Sequence, residues 1–304
     1  MDVSAIKTRV VKPFDPWRSP LCTCPFKWTL NPYTGCGHGC LYCYASSYIP
    51  RFFSPRVKKN ILVDVYRDSM AIPSNSVVEL SSSSDPFQPI DNIYNYAVKA
   101  IETLLSKGHR VLITTKGTAN LLKHIDVLEK YRDRIAISIT VTTIDNAIAR
   151  VLEPGAPPPI DRIDFVSKLS KRGLYITIRV DPIIPGINDD INMLEKLIKM
   201  VSNAGAKQIT ISTYKAKPDN LKRMMRAFPD REELWKELYI DRGERLHSYI
   251  YLPQQIRYRY ISELKTIIEE QGLGFATCRE GFPHINTENY ICDGTTPLRN
   301  KQFK

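Results

Sequence analysis

The sequence contains no apolar run approaching the roughly 20 residues that would cross a bilayer as a helix, which excludes that mode of membrane partnership. Its opening, MDVSAIKTRVVKPFDPW, has no apolar core of signal-peptide length, so a cytoplasmic protein is expected. Internal repeats and low-complexity blocks are also missing. Acidic residues are scarce, with 32 Asp and Glu against 43 Lys and Arg, and the net charge of +11 favours encounter with a polyanion such as nucleic acid. A solvated basic surface accounts for the same charge equally well. With 43% hydrophobic and 25% charged residues, 304 residues suit one large α/β barrel or two small domains. The seven cysteines avoid the middle of the chain, for none occurs between Cys43 and Cys278. In a reducing compartment, closely spaced cysteines favour metal or redox chemistry over disulfides.

Apolar runs rich in Val, Ile, Thr and Tyr predict strands over Val77–Leu80, Arg110–Lys116, Ile135–Val141, Leu174–Ile184 and Gln208–Tyr214. Helical patterns fall between them, over Ile93–Leu105, Ala119–Tyr131, Ile160–Lys171 and Ile191–Asn203. In the last, Ile191, Leu194, Leu197, Ile198 and Val201 recur at helical spacing, with Asp190 as N-cap and Gly205 as stop. Repeated strand–helix units imply parallel strands with right-handed crossovers, hence a doubly wound sheet or a barrel. In a barrel, chemistry collects where strands end. Those positions hold Ser81 to Asp85, Lys116, Thr140 to Thr143, Arg179 with Asp181, and Ser212 to Lys215, although Ser, Thr and Asp are also ordinary turn residues.

The stretch NPYTGCGHGCLYCYA, residues 31 to 45, places Cys36, Cys40 and Cys43 within eight positions. A closed zinc site needs four ligands, and His38, between Cys36 and Cys40, is poorly placed to join as the fourth. Three thiolates suit an iron–sulfur cube left open at one iron, where a further ligand can bind. Gly35, Gly37 and Gly39 relieve backbone crowding around such a cluster.

This CxxxCxxC spacing resembles the signature of radical S-adenosylmethionine enzymes. The longer stretch resembles the subgroup related to spore photoproduct lyase and the so-called DNA repair photolyases, a likeness that continues in SSSSDPFQPID, ITTKG, LEPGAPPPIDR and RVDPIIPGIND. The resemblance implies an α/β fold, a partial TIM barrel of about six βα units, with the cluster loop after the first strand. It implies residues 28–280 as the barrel core, residues 1–27 as an N-terminal extension, and residues 281–304 as a tail packing near the cluster side. It further implies a lyase-like enzyme in which a [4Fe-4S] cluster held by Cys36, Cys40 and Cys43, fed by an external one-electron reductant, cleaves S-adenosylmethionine to a 5′-deoxyadenosyl radical.

Cofactor contacts follow from the same resemblance. Ser82, Ser83 and Ser84 stand where the methionine amino group is received, Lys116 where a cation meets its carboxylate, and Ser138 and Thr140 where ribose hydroxyls are bonded. Arg179 faces the same mouth, with Asp181 on its side by the period of two. Tyr42 and Tyr44 are expected to pack on the adenosyl group or border the cluster, or else simply to fill the barrel mouth. Glu153 and Arg162 read as a structural ion pair. Lesion-splitting relatives carry a hydrogen-donor cysteine in the stretch that reads SSSSDP here, and the stronger O–H bond of Ser82 does not replace a thiol in that role.

Cys22, Cys24, Cys278 and Cys292 remain. If the chain ends meet, they form a four-thiolate site that suits an auxiliary iron–sulfur cluster or tetrahedral zinc, with disulfides or idle thiols as the alternatives. Basic and aromatic residues mix in RFFSPRVKK (51–59), LKRMMRAF (221–228) and IRYRYISELK (256–265), a combination that suits phosphate contact and base stacking, while some of these long cationic side chains merely cover the barrel. Three readings stand: a radical enzyme acting on nucleic acid, one acting on a small molecule or peptide, and a noncatalytic metal-bound interaction protein.

Overall fold

The computed structural model describes residues 6–14 and 19–299, so residues 1–5, 15–18 and 300–304 of the expected extension and tail lie outside the described residues. Its main sheet has eight strands in chain order, β1 (Val11–Pro13), β2 (Trp28–Leu30), β3 (Val77–Leu80), β4 (Arg110–Thr115), β5 (Ile135–Thr140), β6 (Tyr175–Ile183), β7 (Gln208–Thr213) and β8 (Gly274–Thr277). β1 lies antiparallel to β2, and every later pair is parallel. The two edges, β1 and β8, do not pair with each other. The result is a barrel left open on one side, with six strand–helix units followed by a seventh parallel strand.

The strands are largely buried on both faces, yet they do not read as continuous apolar runs. In β5, Ile135, Ile137 and Ile139 join the core shared with the helices, whereas Ala136, Ser138 and Thr140 alternate to the other face. Neighbouring strands repeat the pattern in register, Thr114 beside Ser138, Ser138 beside Thr177, Thr140 beside Arg179, and Arg179 beside Thr210. Apolar residues therefore pack under the helical layer, and polar ones line the lumen.

The expected helix Ile191–Asn203 is present with Asp190 capping it, its carboxylate accepting from the Met193 N–H at 2.9 Å. Two other expected helices are each broken. Asn95 adopts a left-handed conformation and splits Asp91–Tyr94 from Tyr96–Ser106, while Lys123 and His124 separate Ala119–Leu122 from Ile125–Lys130. The C-terminal segment enters the barrel. The Gln208 amide donates to Ile291 O at 2.7 Å, Thr210 Oγ1 donates to Cys292 O at 3.0 Å, and Leu298 packs on Val77, Leu112 and Ala136.

Candidate active site in the barrel mouth

The cysteine loop follows β2 directly, and its backbone is held from several sides. Gly35 has φ +80° and a side chain there would meet Phe52 O at 2.4 Å, so the loop presses against the 51–59 segment at a point only glycine allows. Next to it, the Cys36 N–H donates to Phe52 O at 2.8 Å. The Gln88 amide bridges the loop, accepting from the Gly37 N–H at 2.7 Å and donating to Gly35 O at 3.0 Å. Leu41 N–H donates to Leu152 O, Gly155 N–H donates to His38 O, and Arg223 donates to Leu41 O, each within 3.0 Å. Buried backbone groups need partners, and these fix the path on which the cysteines hang.

Cys36, Cys40 and Cys43 all face one cavity of about 260 Å³, whose wall also includes Tyr42, Tyr44, Ser81 to Asp85, Lys116, Thr140, Arg179 and Asp181. His38 does not turn to the cysteines as a fourth partner. Its Nδ1 lies 3.0 Å from Gly155 O and its Nε2 3.3 Å from Asp85 Oδ2. Burial alone would raise the Asp85 carboxyl, but His38, Thr115 Oγ1 and the Lys116 N–H outweigh it and bring it down to about 2. Among the described residues no three His, Cys, Asp or Glu side chains surround a point fit for a single metal ion. Three thiols of one loop on an open cavity wall, with no fourth cysteine in that loop, are the donor set of a site-differentiated iron–sulfur cluster.

Most of the other predicted residues converge on the same cavity. Ser82 Oγ pairs with Thr29 Oγ1 at 2.9 Å, the Ser83 N–H donates to Asn31, and Tyr48 donates to Ser83 Oγ at 3.0 Å. The hydroxyls of Ser81 and Ser84, by contrast, are buried without a partner among the described residues. Such orphaned donors beside a lysine fit a polar ligand of the S-adenosylmethionine kind. Arg179 pairs with Asp181 at 2.5 Å, on the side expected. Ser138 is buried deeper in the lumen and does not reach the cavity wall.

Tyr42 and Tyr44 serve as struts as well as wall. Tyr44 OH donates to Ser82 O, and Tyr42 OH donates to the Glu153 carboxylate. Glu153 is fully buried, with Arg162 at 2.6 Å, Thr142 Oγ1 at 3.0 Å and Lys116 Nζ at 3.9 Å. Burial opposes its charge, yet Arg162, Lys116 and Tyr42 hold its carboxyl down at about 2. For Lys116, burial is outweighed by Cys40 and Glu153, which keep the ammonium above its ordinary range. The predicted ion pair thus extends through Lys116 and Tyr42 to the cysteine loop.

Sequence reasoning missed the far side of the mouth. Arg279 lies 5.2 Å from the ring centre of Tyr249 and 5.9 Å from that of Tyr44, and Lys217 lies 4.6 Å from Tyr249 and 5.8 Å from Tyr48. Arg223 covers the half-exposed Phe53 at 5.2 Å, joining the 221–228 and 51–59 segments. The 256–265 segment turns out to be largely structural. Arg257 is buried, donating to Leu252 O at 2.9 Å and pairing with Glu244 at 2.7 Å, and Tyr260 donates to Asp189 at 2.6 Å.

Comparison with known proteins places this geometry. The Radical SAM superfamily profile matches residues 30–201. The uncharacterized protein ORF301 of Acidianus two-tailed virus is 28% identical over 199 residues, 60% of this chain and 65% of that protein. The radical SAM Nα-GlyT isomerase of Pseudomonas phage M6 is 26% identical over 261 residues, 82% of this chain and 53% of that protein. The chain therefore spans just under two thirds of the viral relative and about half of the phage enzyme. Spore photoproduct lyase complexed with dinucleoside spore photoproduct shares the fold, with a TM-score of 0.67 at 17% identity over 90% of this chain and 79% of that one.

Proposed function

Because the chain belongs to the radical SAM superfamily, an enzyme family using a [4Fe-4S] cluster, S-adenosylmethionine and an external reductant, we propose that Cys36, Cys40 and Cys43 are its three cluster ligands and that its substrate is nucleic acid. The observation that carries the first part is the placement of these three thiols on one cavity wall with Lys116 and the Ser81 and Ser84 hydroxyls, which have no partner among the described residues. When bound, the cluster and cofactor supply one-electron cleavage of the cofactor's carbon–sulfur bond. The protein's residues bind, orient and shield. Lys116, with Tyr42 at 5.6 Å and Glu153 behind it, offers a cation to a carboxylate. Ser81 and Ser84 offer hydroxyls, and the struts from Tyr42 and Tyr44 hold the loop and the serine segment at fixed separation.

Support for nucleic acid comes from the far side of the mouth, where Lys217, Arg223 and Arg279 lie over the faces of Tyr48, Tyr249 and Phe53, with Tyr48 and Phe53 the exposed rings. Cations over aromatic faces suit phosphates and stacked bases together. Spore photoproduct lyase, which shares this fold, is seen complexed with dinucleoside spore photoproduct. Two measurements test the proposal. Anaerobically reconstituted protein should release 5′-deoxyadenosine with reductant and S-adenosylmethionine, and Cys40→Ala should abolish that product and lower the iron–sulfur absorbance; product undiminished in the variant overturns the ligand assignment. Binding to a single-stranded oligonucleotide should weaken steeply with salt, and the Lys217→Ala, Arg223→Ala double variant should lower the log–log slope by about two. Salt-independent binding, or none, overturns the nucleic-acid reading in favour of a small molecule or peptide.

A further inference from the structure

The Cys36 loop accounts for three of seven cysteines, and the other four gather without any role in that site. We propose that Cys22, Cys24, Cys278 and Cys292 bind a second iron–sulfur cluster inside the barrel. They come from three separate segments: Cys22 and Cys24 just before β2, Cys278 immediately after β8, and Cys292 in the chain that returns into the lumen. Cys24 Sγ and Cys292 Sγ stand 3.7 Å apart, and Cys22, Cys24 and Cys278 line one cavity together with Arg179. A tetrahedral metal bonded to two sulfurs at about 2.3 Å holds them roughly 3.8 Å apart, whereas a disulfide needs about 2.05 Å.

The backbone around these thiols is fixed beforehand. The Cys278 N–H donates to Ile211 O at 3.0 Å, Ser212 Oγ donates to Cys278 O at 3.1 Å, and Thr210 Oγ1 donates to Cys292 O at 3.0 Å. Beside Cys292, Asp293 accepts from the buried Lys27 ammonium at 2.7 Å, and Lys27 also meets Glu79 at 3.1 Å. β2 begins the parallel run and β8 ends it, so a centre on these ligands would tie together the two sides of the opening. Because no three ligating side chains among the described residues surround a single-ion position, a polynuclear cluster, each iron taking its own thiolates, fits better than lone zinc. Cys22, Cys24 and Cys278 face the same cavity as Cys36, Cys40 and Cys43, so the two centres would share one chamber.

The test is metal content after anaerobic reconstitution of wild type, Cys36→Ala/Cys40→Ala/Cys43→Ala, Cys24→Ala/Cys292→Ala and Cys22→Ser. The triple variant should keep iron and acid-labile sulfide in equal amounts, and wild type should hold the sum of the triple and double variants. Far-UV circular dichroism checks folding, and Cys22→Ser, which leaves the Cys24–Cys292 pair in place, should itself lower the residual iron if the double variant misfolds. A triple variant without iron and sulfide, one holding a single zinc without sulfide, or a Cys24–Cys292 disulfide in anaerobic peptide maps overturns the proposal. Failure of the Cys36 loop reading is distinguishable, since the triple substitution would then remove no iron at all.

Discussion

Replacing Glu153 by Gln should be among the most destabilising conservative changes in this protein. The substitution keeps shape and one acceptor oxygen for Tyr42 and Thr142, but leaves the Arg162 guanidinium, now 2.6 Å from the carboxylate, buried without its counter-charge. Breaking a buried pair from one side costs about 3–5 kcal/mol. Titration gives a second route to the magnitude. The Glu153 carboxyl is lowered from 4.5 to about 2 in the folded protein despite its burial, by Arg162, Lys116 and Tyr42. At about 1.4 kcal/mol per pH unit, that gap contributes ~3 kcal/mol of stability. Because the folded value is depressed, the contribution is complete above pH ~4.5 and declines as pH falls through the folded value. By pH 3 it should have fallen to ~1.5 kcal/mol. Urea unfolding of both proteins at pH 7 and pH 3 measures it. The expected difference is ~3 kcal/mol or more at pH 7, shrinking by roughly half at pH 3. A difference below about 1 kcal/mol at pH 7, or one that grows on acidification, refutes the reasoning.

Gly35→Ala should disturb the cysteine loop rather than the barrel. The new Cβ meets Phe52 O at 2.4 Å on a backbone at φ +80°, so a cost of about 1–3 kcal/mol and reduced iron incorporation are expected, read by thermal melting and iron assay. Ser84→Ala removes a buried hydroxyl that has no partner among the described residues. Stability should hold, while S-adenosylmethionine affinity measured by equilibrium dialysis falls about five-fold, the worth of one neutral hydrogen bond.

Much of the barrel could be read in advance because its strands are local patterns. Val77–Leu80 was expected and is present, and the other four expected strands differ from those found by a residue or two at their ends. β1 and β2 escaped because three residues are too few to display alternation, and β8, although as long as Val77–Leu80, opens on glycine and lacks its paired valines. The helix breaks escaped because a single left-handed Asn95 leaves the apolar spacing around it intact. In the site, the cysteine loop was legible because all three thiols lie within eight positions. The pairings of His38 with Asp85 and of Lys27 with Asp293 were not, since no local pattern links residues so far apart in the chain. Arg279 directly follows Cys278, yet nothing in the sequence ties it to Tyr249 from the hairpin Glu244–Leu246 and Tyr249–Tyr251.

The lumen shows why the polar positions of these strands are more than turn chemistry. A buried hydroxyl or amide costs stability unless it finds a partner, and a solid apolar barrel interior would have spared the chain that cost. Here Gln208, Thr210 and Ser212, which alternate with Ile209 and Ile211 along β7, direct their side chains to Ile291 O, Cys292 O and Cys278 O. Lys27 of the N-terminal approach likewise joins the two halves, pairing with Glu79 of β3 and with Asp293 of the C-terminal segment. The C-terminal segment is therefore the internal half of a polar core whose other half is written into the strands. Those hydrogen bonds seat the Cys278 and Cys292 carbonyls on β7, and this is the physical reason that Cys24, more than 250 residues away in sequence, finds Cys292 3.7 Å from it.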